Sequence, residues 1–150
     1  GMKFSKGDMQ GGSEMWTKAI AEADEAGRRA PDNVGVLIPR AASWIATSRF
    51  APPELGMPLL KKGVADYEHV YELQRAIFDK LGTHPRSELL FGMADGYLRL
   101  GNKEKATPYF EKLAAMGAES GHHEQAKAFL AGQTYKVEGI GCTGCHTSGK

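Results

Sequence analysis

Residues 87–116, SELLFGMADGYLRLGNKEKATPYFEKLAAM, decide the fold. Ser87 is a favourable N-cap for a helix running through Leu100, Gly101 and Asn102 make a tight turn, and a second helix runs from Lys103 to Met116. A turn this short between two such helices makes them an antiparallel hairpin. Apolar and small residues recur along both at the spacing of a helix face, so each presents one side to the other.

Working outward, the same periodicity continues through the chain. Met15, Trp16, Ala19, Ile20, Ala23 and Ala26 form one stripe on a helix expected from Met9 to about Arg29, ended by Pro31, Asp32 and Asn33. A second helix is expected from Val34 to Arg49, with Leu37, Ala41, Trp44 and Ile45 on one face and Pro39 near its first turn. Pro52, Pro53 and Gly56 read as a loop over residues 50–57. Pro58 then opens a third helix to about Leu81, burying Leu60, Val64, Tyr67, Tyr71, Ile77, Phe78 and Leu81, with Gly63 weakening its beginning. Gly82, His84 and Pro85 read as a helix stop. After Met116, Gly117 and Gly121 bracket a break, and a last helix is expected from His122 to Tyr135. Strand-like alternation is absent, so the expected fold is all-α: a helical domain over residues 2–136 and a flexible, disordered tail over 137–150.

The 87–116 hairpin resembles a tetratricopeptide repeat, a helix-turn-helix unit of about 34 residues. Leu90, Ala94, Tyr97, Gly101, Ala106, Phe110 and Leu113 stand where that family places large, small, aromatic, turn, small, aromatic and apolar residues. Gly7, Asp8, Gly12, Trp16 and Ala19 match Gly101, Asn102, Ala106, Phe110 and Leu113 at a constant offset of 94 residues. By this alignment the first helix is the second half of an incomplete first repeat. Either the chain was cut from a longer one, or Met2 to Lys6 is what remains of the missing half. Gly1 before Met2 reads as a tag remnant. The resemblance implies hairpins stacked as a short α-solenoid, with a concave face, including Tyr97 and Arg99, that binds a protein or peptide partner.

The chemistry-bearing signal lies elsewhere, in Cys142-Thr143-Gly144-Cys145-His146, which holds both cysteines of the chain. A Cys-x-x-Cys-His run is similar to the haem-attachment site of c-type cytochromes: two thiols for thioether bonds to the haem vinyl groups, and an imidazole as proximal iron ligand. The resemblance implies haem c as cofactor, held by Cys142, Cys145 and His146, and a bacterial periplasmic location where haem is attached. It departs from a cytochrome domain in that no methionine follows His146. His122, His123 and Met116 are the candidate distal ligands. Zinc is the competing metal, since two thiols and a nearby histidine are three of the four ligands of a tetrahedral site, but no second Cys-x-x-Cys or His-x-x-x-His completes it. A thioredoxin-type pair requires a βαβ setting.

The rest of the composition narrows the classes. Nineteen basic residues against eighteen acidic ones leave a net charge of +1, too small a field to attract nucleic acid. A hydrophobic share of 41% and a charged share of 25% suit a globular domain. No apolar run is long enough for a membrane span. No nucleophile with a positioned base is apparent, so no enzyme is expected. Two functions stand: a periplasmic helical scaffold carrying one covalent haem for electron transfer or within a redox assembly, and an interaction module without haem.

Overall fold

The computed structural model describes residues 9–137, with side chains from residue 11 onward, and these residues are helical with no strand among them. In chain order the α-helices are α1 (Met9–Arg29), α2 (Val34–Thr47), α3 (Pro53–Gln74), α4 (Thr83–Arg99), α5 (Lys103–Ala115) and α6 (His123–Leu130). A 3₁₀ stretch, Arg75–Lys80, extends α3. From α2 onward each α-helix packs on the next in sequence.

The α4–α5 hairpin forms as its residues dictate. Gly101 takes a left-handed φ of 78°, which a side chain would oppose. The Asn102 side chain caps α5 by accepting from the Lys105 amide at 3.0 Å. Leu90, Ala94, Ala106, Phe110 and Leu113 are fully buried, and Tyr97 is almost so. At about 1.5–3 kcal/mol for each large apolar side chain removed from water, this seam is the centre of the core.

Helix α4 begins earlier than expected. Thr83 is its first residue, and Pro85 lies in the first turn, where an amide has no intrahelical partner to lose. Ser87 is therefore not the N-cap: it is buried inside the helix, its hydroxyl donating to the His84 carbonyl at 2.9 Å.

Helix α3 also starts upstream of expectation. Pro53 occupies its first position, so the expected loop over residues 50–57 becomes a shorter turn, and Pro58 lies inside the helix. Pro39, Pro58 and Pro108 each stand five residues beyond the start of α2, α3 and α5. All three are solvent-exposed, where water can take up the carbonyl each leaves unbonded. Gly63 does not mark a weak helix start. It is the point where α3 crosses α2, and a Cβ there would lie 2.9 Å from the Ala41 carbonyl oxygen and 2.7 Å from Ile45.

At its far end α3 tightens into the 3₁₀ stretch instead of continuing as α-helix to Leu81. The tighter winding turns the chain by about 20° more per residue, which alters which side chains face inward. Phe78 meets Tyr71 edge-on at 5.0 Å, whereas Ile77, expected in the core, is 48% exposed.

Helix α1 has the expected extent, but its stripe is not a buried face. Met15 is 56% exposed and Ala19 is exposed. Polar ties near its second half hold it instead: Arg40 reaches the Ala23 carbonyl at 3.4 Å while gripping Asp66 at 2.6 and 2.7 Å, and Lys62 meets Asp24 at 2.6 Å. The Arg40–Asp66 fork, shielded on both sides, raises the Arg40 pKa further through its hydrogen bonds and charge.

The last helix is shorter than expected, ending at Leu130. Residues 131–137 then run back along the hairpin, and Tyr135 and Val137 pack against the core.

Candidate functional site

Cys142, Cys145 and His146 lie outside the described residues, as does the expected tail from residue 138 onward. The last landmark before it is Tyr135, whose hydroxyl donates to Asp95 Oδ1 at 3.0 Å and whose ring lies edge-on to Phe91 and Phe110 at 6.0 and 5.7 Å.

Asp95 is the hub of this anchor. It sits on α4 among apolar neighbours with its side chain only 3% exposed, and its other oxygen accepts from Arg49 at 2.5 Å, with Arg99 at 3.8 Å. Arg99 in turn donates to the Ile45 carbonyl at 3.1 Å and to the Ser48 hydroxyl at 2.7 Å, which ties the end of α2 to α4. Burial, then the Asp95 charge and hydrogen bond, push the Tyr135 hydroxyl far above the ordinary tyrosine range. Burial and the neighbouring Arg49 lower Arg99. A buried carboxylate shared by two guanidinium groups and a phenol is satisfied only while all three stay in place.

A second anchor lies one turn earlier on the same helix. His122 stacks on Phe91 with ring centroids 3.9 Å apart and planes 6° from parallel, and its Nε2 meets Glu88 at 2.9 Å. Burial pushes the Glu88 carboxyl up, but the His122 hydrogen bond and charge, with that of His84, more than offset it and hold it below the usual range.

The candidate distal ligands are thus placed as follows. His122 has Nε2 engaged by Glu88 and Nδ1 buried without a partner, so binding iron requires it to leave this pair. His123 has its Nδ1 buried and its Nε2 4.0 Å from Glu124. Met116 is half-buried at the end of α5 and lines a cavity beside Leu90 and Lys112. Among the described residues no group of three or more His, Cys, Asp or Glu side chains is arranged to hold a metal, and no helix is long and apolar enough to cross a membrane.

The residues expected on a concave partner face are turned to other tasks. Tyr97 is buried, stacked on Tyr109 at 6.1 Å and bonded through its hydroxyl to Glu68; Arg99 belongs to the Asp95 network. Sequence reasoning misses Asp95, Arg49 and Tyr135 as a unit. Their one local signal is a carboxylate in the middle of an otherwise apolar helix stretch, since the partners are 46 and 40 residues away.

Set against protein-family models, curated proteins and solved structures, the chain matches none.

Proposed function

We propose that this protein is a periplasmic helical scaffold carrying one covalent c-type haem on its C-terminal segment, serving electron transfer or a redox assembly, with its hairpins stacked in the manner of tetratricopeptide repeats. The Cys142-Thr143-Gly144-Cys145-His146 run carries this reading. Its donor set fits the group: each thiol adds across one vinyl to form a thioether, and the adjacent imidazole offers a neutral nitrogen to the iron. The haem would supply one-electron redox chemistry.

The rest of the chain contributes position. Cys142 follows Tyr135 closely in the sequence. Seven residues of fully extended chain reach roughly 25 Å at most, so an anchored Tyr135 sets an upper limit on the distance of the attachment site from α4 and α5. His122, His123 and Met116 are the candidate distal ligands within this half of the domain, and Met116 is the one that needs no ion pair broken.

The test is expression with export and a cytochrome-maturation system. The expected product is coloured, gains the mass of one haem, and keeps its haem absorbance after denaturation; Cys142→Ser with Cys145→Ser abolishes all three. A colourless wild-type protein under those conditions refutes the proposal. The second reading, an interaction module without haem, rests on the exposed apolar side chains Phe50, Leu55 and Met57 around the α2–α3 turn, and that outcome would favour it.

A further inference from the structure

A cavity of about 570 Å³ opens between the 3₁₀ stretch, the first turn of α4 and the end of α5. Tyr71, Phe78 and Leu90 give it an apolar wall, and Arg75, Arg86 and Lys112 line it against the single carboxylate of Asp79. Its size lies within the roughly 300–1,000 Å³ of small-molecule sites, and its mixture of an apolar wall with a few charged groups is theirs as well.

Two of the three cations have some internal compensation. Arg75 meets Glu72 at 3.2 Å, and Lys112 donates to the Tyr71 hydroxyl at 2.8 Å while lying 5.2 Å from the centre of its ring. Arg86 differs. Its Nε is buried and has no hydrogen-bond partner, and among the described residues it forms no ion pair. It also stands in the first turn of α4, where the positive end of the helix dipole disfavours a cation. Both features cost stability. An anion in the cavity would offset the second by neutralising the guanidinium charge at the start of the helix.

We propose that this cavity binds an organic anion. Its carboxylate or phosphate is held by Arg86 and Lys112, and its aromatic or aliphatic body lies against Tyr71 and Phe78. A small inorganic ion would leave the apolar wall uncovered, and an uncharged ligand would leave Arg86 unpaired. None of the cavity's lining residues is a cysteine, but Met116, a candidate distal ligand under the proposed function, is one of them, so the site is tested on the chain without haem.

The full chain prepared without haem should bind 8-anilinonaphthalene-1-sulfonate at one saturable site, and N-phenyl-1-naphthylamine, the same body without the anion, about tenfold more weakly or worse. Arg86→Gln should weaken sulfonate binding about tenfold and leave binding of the neutral dye unchanged, while Arg86→Lys recovers part of the loss. Phe50→Ser, on the exposed α2–α3 turn, should change neither. Equal affinity for the two dyes overturns the proposal, as does an Arg86→Gln protein that retains its circular dichroism and binds the sulfonate as before. If Arg86→Gln fails to fold, the wild-type dye comparison stands with NMR mapping: sulfonate-induced shifts that spare Tyr71, Phe78 and Leu90 overturn it.

Discussion

Asp95→Ala tests the anchor that ends the described chain. The substitution removes a carboxylate that is 3% exposed and leaves Arg49, Arg99 and the Tyr135 hydroxyl without their shared acceptor. Breaking a buried ion pair from one side costs about 3–5 kcal/mol. The side chains of Arg49 and Arg99 are 25% and 22% exposed. Water therefore relieves part of that cost, and about 3 kcal/mol is expected. At about 4 °C per kcal/mol in a domain of this size, the melting temperature should fall by roughly 12 °C. Calorimetry measures the fall directly, and a urea titration gives the free energy. Tyr135→Phe alone should cost about 1.5 kcal/mol, the worth of one hydrogen bond to a charged acceptor. In the Asp95→Ala background it should cost under about 0.5 kcal/mol, because the acceptor is already gone. Amide exchange in residues 131–137 should accelerate in both variants, well beyond the change in α5. A melting shift below about 3 °C for Asp95→Ala, or strictly additive costs for the pair, would refute the account of a shared buried carboxylate.

Gly63→Ala pits helix propensity against packing. Alanine gains up to about 1 kcal/mol over glycine in a helix interior. Its Cβ, however, would lie 2.9 Å from the Ala41 carbonyl oxygen. Overpacking of that kind outweighs the propensity gain, and a net loss of about 1 kcal/mol is expected, read as a lower urea midpoint. The Glu88–His122 pair gives an acid limb to the stability curve. The Glu88 carboxyl is held below its ordinary 4.5, so its contribution is present above that pH and is lost as the pH falls through the lower folded value. His122→Gln should flatten that limb in an acid titration followed by circular dichroism. Tyr135 supplies the alkaline counterpart. Its hydroxyl is raised above the ordinary 10.0, so its stabilisation is complete below that pH and declines as the pH rises past it, and Tyr135→Phe should remove this decline.

The parts of the fold legible in the sequence are those where local geometry and burial agree. Leu90, Ala94, Ala106, Phe110 and Leu113 repeat at helical spacing, and Gly101 sits where the turn needs a positive φ; all take the expected places. The departures fall where proline and glycine do more than punctuate. Pro53 and Pro85 lie in the first turns of α3 and α4, where no amide is needed, and Gly63 serves a helix crossing that only the partner helix reveals. Ile77 departs because a 3₁₀ stretch keeps the apolar residues of an α-helix but turns them to different sides.

The Cys-x-x-Cys-His run is legible without any structure, because two thiols and an imidazole at that spacing are chemistry written in consecutive residues. The Asp95 anchor is not. Asp95, Arg49 and Tyr135 are far apart in sequence, and each alone reads as an ordinary polar residue.

What the sequence by itself determined is therefore the all-helical class, the central hairpin and the motif, since helix periodicity, turn stereochemistry and ligand spacing all act over a few neighbouring residues. The tertiary structure alone decided that Asp95 is shared by three partners, that His122 is stacked and paired with Glu88, and that Arg86 lines a cavity with its Nε buried and unbonded. Burial sets the strength of these charges, and burial is a property of helices brought together from separate parts of the chain.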